Sequence, residues 1–566
     1  MEKFPQLAYE RPDVEAAKKA LNDLIDAFLS ASTYEEARDI YLQLEKTDAA
    51  FSTMYTLAYI RNTMDTSDPF YDGEMKYFNE VAPAYMLVLQ RASKALTETK
   101  FKDDFSREFG PILIKKAENA QRVMNEAIAE DLVEEGNLKQ EYSRLVASCS
   151  VDFRGEQCNF YGLLKHMEST DRDERKEAFL AWANLYESVS DKLDDIYDKL
   201  VRIRVRMAQK LGFDSYIPLA YLNKDRFDYT EKDVAVFREQ VKNIIVPACE
   251  RIYELQRKRL GIDRLHYYDE QLVFPEGNAT PISGMEYLVN AAREMYRDLS
   301  PQTGEFFDFM VEHELFDLVT RPNKHMGGYC TFLDSCKAPF IFSNFNGTSA
   351  DVDVLTHEAG HAFQAYVAAR TLPIMGICLS TSEINEIHSM TMEHFAYPYM
   401  DKFFGDKADE YRYAHLASAL TVIPYLVSVD EFQHRVFEKP EMTAKERRHI
   451  WREIEKKYMP WRDYDGNAFL EEGGFWMQKQ HIFLYPFYYI DYALAQICAF
   501  ELYGRMKKDR RRAWEDYFRL CCAGGSKGYF ELLDVANLHN PFREGSVEAA
   551  VSTVIEELES SPFSRV

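Results

Sequence analysis

Apolar residues recur at three- and four-residue spacing through most of the chain, and strict alternation is nearly absent. The stretches VEAAKKALNDLIDAFLSA and PILIKKAENAQRVMNEAIAEDLVEE each carry one apolar stripe between polar residues, the mark of a helix that buries one face. From about residue 12 to residue 148 one such pattern follows another. A further long helix is predicted from Ser169 to Leu211, because STDRDER is a capped start and Gly212 a stop. The piece between them, SVDFRGEQCNFYG, reads as short and irregular. Gly261 to Gly284, punctuated by Pro275, Gly277, Asn278 and Pro281, reads as a surface excursion inside one lobe. The exception to helix is Lys324 to Asn346. It contains GGYCTF and the aromatic, β-prone run PFIFSNFNG, which predict a small sheet. The expected fold class is mainly α.

Composition narrows the picture. With 46% hydrophobic and 28% charged residues over 566 positions the chain can fill real cores, and collagen-like or disordered states are excluded. The 93 acids against 68 bases leave a formal charge of -25, which repels a phosphate backbone and argues against a nucleic-acid partner. The start MEKFPQLAYERPDVEAA lacks a signal-peptide profile, and no uncharged apolar stretch reaches the roughly 18 residues of a membrane span, so no membrane association is expected. Nine cysteines, an odd number without a C-x-x-C pair, read as reduced thiols in a cytoplasmic protein.

The candidate chemistry lies in THEAGHAFQAY. On a helix His357 and His361 stand one above the other and can share one metal ion, while Glu358 sits about 100° round, beside the open position. Thr348 and Asp351 form a capping-box pattern that starts this helix, and Asp353, one turn before His357, is placed to accept the imidazole's second N–H. Val354, Leu355, Ala362, Phe363 and Val367 bury it. His313-Glu314 lacks a second histidine and serves as an internal control. A hydrolytic zinc takes three protein ligands, so a third must come from elsewhere. The helix is predicted to end near Arg370, and a second, STSEINEIHSMTMEHFAYPYM, returns antiparallel with Glu383, Glu386 and Glu393 all within reach. Spacing does not choose among the three. Glu386 and Glu393 share a face with Ser389, which suggests one ligand and one outer partner, while His388 points elsewhere. In HIFLYPFYYIDYALAQ, His481, Tyr485, Tyr489 and Tyr492 make one stripe of polar-tipped aromatics if the helix is continuous; alternatively Pro486 begins it and leaves His481 and Tyr485 on a preceding loop. CCAGGSKGYF lacks the residue order of a phosphate cradle and reads as a loop.

HEAGH, the later NEIHSMTME, and the upstream GGYC and PFIFSNFNGT together resemble the zinc metallopeptidases of the oligoendopeptidase F and thimet oligopeptidase family, nearest the bacterial oligoendopeptidase F branch. The likeness covers most of the second half; LGFDSY from Leu211 and DRDER from Asp171 fit it more weakly. The resemblance implies a zincin-type core and two helical lobes around a deep channel that admits oligopeptides and excludes folded proteins. It implies one Zn2+ per chain on His357, His361 and Glu386, with Asp353 and Glu393 as outer acids. It further implies that Tyr489, Tyr492 and His481 stabilise the tetrahedral intermediate and that Tyr485 binds substrate, with Tyr488 a rival for Tyr489. Phe342, Asn344, Gly327 and Gly328 are the remaining candidates for substrate contact, since the run from Phe340 to Asn346 can pair with an extended peptide backbone. The lobes are expected at 1–195 and 196–566. The expected reaction is hydrolysis of internal bonds in short peptides with Glu358 as general base. Two alternatives are a zinc aminopeptidase or carboxydipeptidase, and a non-catalytic peptide-binding scaffold, which would have lost Glu358 or a histidine. The sequence carries no sign of oligomeric state.

Overall fold

The apolar stripes become buried helix faces. In the computed structural model, which describes residues 1–565, the first long helix is Val14–Ser30, capped by the Asp13 carboxylate accepting from Ala16 N–H and burying Val14, Leu21, Ile25 and Phe28. Arg172–Lys210 runs 39 residues from an Asp171 cap and stops before Gly212, whose φ of +83° breaks helical geometry. Among the described residues helices make up most of the chain, with two small sheets between them. Among the described residues no helix is long and apolar enough to cross a membrane.

The piece that reads as irregular around SVDFRGEQC is a hairpin. Val151–Phe153 pairs antiparallel with Glu156–Cys158, and Arg154 and Gly155 close it with φ of +53° and +87°, the two-residue turn whose twist suits paired strands. Two strands of the second sheet lie in the expected segment Lys324 to Asn346, and a third, Phe316–Val319, lies before it. Ala338–Phe345 is its central strand, parallel to Phe316–Val319 on one side and antiparallel to Tyr329–Leu333 on the other.

The chain divides into two units. The first comprises Met1–Arg122, Thr280–Ala408 and Arg505–Leu538; the second comprises Val123–Ala279, Asp409–Gly504 and the stretch from His539 onward. This corrects the boundary at 195/196, which falls inside the unbroken Arg172–Lys210 helix, where a continuous hydrogen-bond ladder leaves no hinge. The stretch Gly261 to Gly284 is corrected too. Tyr268, Asp269 and Leu272 are buried, and the Asp269 carboxylate is paired by Arg172 and Arg175, as a fully buried charge requires. The chain then passes from the second unit to the first after Ala279.

Candidate metal centre and aromatic cluster

The helix Ala350–Thr371 follows the central strand across a short turn. Orphan N–H groups of that turn are satisfied from the helix: the Asp351 carboxylate accepts from Asn346 (2.9 Å) and Gly347 (2.8 Å). Thr348 is held instead by Asn346 Oδ1, through its N–H (3.1 Å) and its hydroxyl (2.7 Å). The expected capping box is therefore not formed, because both side chains serve the strand end. From Asp351 to Ala369 the helix is buried except at Asp353, Val354, His357, Glu358 and His361, one stripe at helical spacing.

The second helix, Ser382–Ala396, packs back to back with the first at Gly360. A Cβ at Gly360 would lie 2.6 Å from Ser389 Cα and 2.8 Å from His388 O, so only glycine lets the two backbones come this close. Gly524 and Gly525, in the CCAGGSKGYF loop, support the connecting turn. Gly525 N–H donates to Ile377 O at 2.8 Å, and a Cβ there would fall 2.1 Å from Leu379 O.

That approach brings one glutamate to both imidazoles. Glu386 Oε2 lies 3.3 Å from His357 Nε2 and 3.4 Å from His361 Nε2. Tetrahedral zinc with bonds of about 2.0–2.2 Å requires donor atoms about 3.3–3.6 Å apart, so the donor set fits that ion in chemistry and spacing. Burial alone would raise the Glu386 pKa, but the imidazoles, His361 foremost, hold it well below the usual carboxylate range, so it remains an anionic donor. Ser389 Oγ donates to the same oxygen at 2.9 Å. Glu393 Oε1 lies 2.6 Å from His357 Nδ1, which points Nε2 at the donor set. The place at Nδ1 foreseen for Asp353 thus belongs to Glu393, because the close second helix reaches it. Glu383 and His388 are buried and stand outside the converging set. Burial raises the Glu358 pKa above its ordinary value, with the two histidines opposing. One other group of donors among the described residues lies comparably close, Glu156, Cys158 and His166, but there burial pushes the thiol up, away from the thiolate a metal binds.

The sheet redistributes the expected substrate residues. At Ile341 and Phe342 the central strand is paired on both edges, so it has no free backbone there to offer a peptide. Phe342 stacks on Tyr329 with ring centres 4.7 Å apart, and Asn344 Nδ2 donates to His325 O (2.9 Å) and Gly327 O (2.7 Å). Both residues brace the neighbouring strand. Tyr329–Leu333 is an edge strand, preceded by Gly327 and Gly328, and Cys330 on it senses the Glu358 charge in addition to burial.

In the second unit the His481 to Tyr492 stripe is broken. His481 lies in the short helix Gln480–Leu484, and Tyr489 opens the next, Tyr489–Lys508. Between them Phe487 adopts a φ of +59°, costly for a bulky side chain. Its N–H donates to Gln433 Oε1 (2.9 Å) and its carbonyl accepts from Arg226 (2.5 Å), which holds the break in place. The rings still gather: His481 is 4.8 Å from Tyr489 and 5.8 Å from Tyr485 and Tyr488, and Tyr492 is 5.7 Å from Tyr489. Tyr489 is buried and Tyr485 exposed. Burial, aided by Lys479 and Lys224, pushes the His481 pKa down to about 4, so the ring is neutral at neutral pH.

Known proteins share this fold along the whole chain. A solved structure of PZ peptidase A with an inhibitor is 45% identical, with a TM-score of 0.94 over 99% of this chain and 100% of that one. A structure of a candidate oligoendopeptidase F is 43% identical, with a TM-score of 0.95 over the full length of both chains. Oligopeptidase PepF of Bacillus subtilis (strain 168) is 22% identical over 97% of this chain and 82% of its own. Residues 4–124 match the peptidase M3 N-terminal domain, and residues 165–280 and 303–551, which contain both the HEAGH helix and the aromatic cluster, match peptidase family M3. By that match over more than half its length, the chain belongs to peptidase family M3.

Proposed function

We propose that this chain is a zinc-dependent endopeptidase for short peptides, with one ion on His357, His361 and Glu386 and with Glu358 as general base. The observation that carries the reading is the convergence of both Nε2 atoms on Glu386 Oε2 at the spacing of a tetrahedral zinc site. Bound there, the ion supplies Lewis acidity to the attacking water and the scissile carbonyl. Glu358, with its proton affinity raised by burial, takes the proton of that water and passes it to the leaving amine. Glu393 fixes the His357 tautomer and Ser389 fixes the Glu386 carboxylate.

The substrate backbone pairs in extended form with the edge strand Tyr329–Leu333, entered past Gly327 and Gly328. In the second unit Tyr489 and Tyr492 offer phenol hydroxyls suited to a carbonyl oxygen on which charge develops. Tyr489 keeps its proton because burial raises its pKa, and His481 contributes as a neutral ring. Tyr485, exposed beside them, contacts the peptide. Nine free thiols fit a reducing, cytoplasmic setting.

Glu358→Gln is expected to keep about one zinc per chain and to abolish cleavage of a quenched fluorogenic peptide; near-normal turnover would remove Glu358 from the mechanism. Mass spectrometry of products from a mixed peptide pool separates internal cleavage from amino- or carboxy-terminal trimming.

A further inference from the structure

One turn beyond His361 the HEAGH helix borders, at Ala365, a cavity of about 400 Å³, a volume within the range of ligand pockets. Its lining is of two kinds. Phe332 and Met375 join Ala365 as apolar wall, both packed against Ala368, Ala369 and Cys378. The rest is acidic: Glu45 and Asp48, neighbours on the helix Tyr34–Met64, and Asp334, which follows the edge strand Tyr329–Leu333. Neutral donors hold these acids in place. The Tyr41 hydroxyl donates to Glu45 Oε1 at 3.2 Å and Gly376 N–H to Oε2 at 3.4 Å, while the Tyr85 hydroxyl donates to Asp48 Oδ1 at 2.9 Å. Among the described residues none of the three carboxylates stands in an ion pair, and burial, the largest influence on each, raises their pKa values above the ordinary ones. The base on the lining, Lys116, donates to Leu379 O at 3.5 Å. Three carboxylates against one ammonium leave the cavity with an excess of negative charge. The three are too far apart to hold one metal ion, since the donor groups that close among the described residues are the candidate zinc set and Glu156, Cys158 and His166. Separated carboxylates beside an apolar wall suit a larger, organic cation with an aliphatic stem.

The edge strand leads from the candidate zinc donors to this cavity. At its entrance a Cβ on Gly328 would lie 3.4 Å from Val354 Cγ1 of the HEAGH helix, and toward its far end Phe332 packs on Ala368 and Ala369. His357, Glu358 and His361 fall between those two contacts along the helix. The turn from His361 to Ala365 rises about 6 Å, which an extended peptide covers in about two residues. All of these residues belong to the first unit.

We infer that this cavity is a specificity subsite for a lysine or arginine side chain, carried by a peptide residue about two positions from the cleaved bond. The inference rests on the reading above in which the peptide pairs with the edge strand beside His357, Glu358 and His361. A peptide cation supplies Glu45, Asp48 and Asp334 with the counter-charge that the chain itself withholds, while Phe332 and Met375 cover its methylene stem.

The test is a labelled host peptide without charged side chains, in which a single Lys, Arg, Gln or Glu is moved through the positions one at a time. Binding to zinc-loaded Glu358→Gln protein is read by fluorescence anisotropy, so no turnover is needed. Mass spectrometry of the products of the unaltered enzyme locates the cleaved bond. At one position, about two residues from that bond, Lys and Arg are expected to bind about tenfold or more tighter than Gln, with Glu the weakest. That advantage is expected to vanish in Glu358→Gln/Asp48→Asn/Asp334→Asn. In Glu358→Gln/Asp334→Lys, Glu is expected to overtake Lys at the same position, a reversal that a misfolded pocket does not produce. Equal binding of the Lys and Gln peptides at every position by the protein with its acids intact overturns the inference whether or not the variants fold. So does a lysine advantage that both variants leave unchanged. Turnover by the unaltered enzyme is scored separately: absence of cleavage with the lysine advantage intact removes the peptidase reading alone, and cleavage without a lysine advantage removes the subsite alone.

Discussion

The donors of the candidate metal centre ride on two successive helices, whereas the aromatic cluster is assembled across a break between two helices. In the first region His357 and His361 share one turn-to-turn face, and the Gly360 contact delivers Glu386. Regular geometry does nearly all the positioning. In the second region His481 and Tyr489 come together only because Phe487 is held at a positive φ by Gln433 and Arg226, residues distant in sequence. Both regions gather side chains, but the first stores its precision in backbone contact and the second in hydrogen bonds to a strained residue.

The sharpest way to break the comparison is to remove the one donor that the second helix contributes. Glu386→Ala is expected to weaken zinc binding by more than the roughly 10- to 100-fold typical of losing an outer partner, and to abolish peptide cleavage, while Glu383→Ala keeps its metal. Zinc content after dialysis against a chelator checks this, and the reverse order would move the third ligand to Glu383. A smaller loss is expected where backbone contact is at stake. Gly360→Ala inserts a Cβ against Ser389 Cα and His388 O, and overpacking of this kind costs about 1–3 kcal/mol. Thermal unfolding should register that loss, and zinc affinity should fall with it because the second helix is pushed away from the histidines. An unchanged variant would show that the helices have room to spare.

The smallest effect belongs to the second region and depends on pH. His481 in the unfolded chain takes a proton near 6.5 but in the folded protein only near 4, because burial first, and the two lysines after it, disfavour the charged ring. Between those values protonation favours the unfolded chain. Its stability contribution is therefore whole above pH 6.5 and is lost as pH falls toward about 4. Unfolding midpoints across that range should decline less steeply for His481→Gln than for the unaltered protein, and parallel declines would count against a buried neutral ring.

Legibility followed the same divide. HEAGH is local, so one helix suffices to read its three side chains, and the pattern of STSEINEIHSM was enough to expect a returning helix. Which glutamate it presents was not readable from spacing, since the choice rests on the depth of contact at Gly360. A glycine between two histidines was in plain view as the signal for that contact. Asp353 was expected at His357 Nδ1 from helical spacing alone, and the neighbouring helix supplied Glu393 instead. The strand from Phe340 was rightly β-prone but was assigned the substrate, because a central strand and an edge strand share the same local pattern. The Arg154-Gly155 turn was a readable hairpin signal that the surrounding polar residues masked.

What the sequence determined by itself is what local periodicity and side-chain chemistry determine: a helical protein, a small sheet after Lys324, the histidine pair with its glutamate, and the stopping points at Gly212 and Arg370. What only the tertiary structure decided is everything set by contacts between segments far apart in the chain. These are the third donor, the partner of His357, the free edge of the sheet, the break at Phe487, and a division into units that each draw on three separate stretches. The reason is physical. Local structure follows from φ/ψ preferences and the 3.6-residue repeat within a few residues, whereas donor placement to a few tenths of an ångström depends on how closely two backbones approach, and that is written in packing across the whole unit.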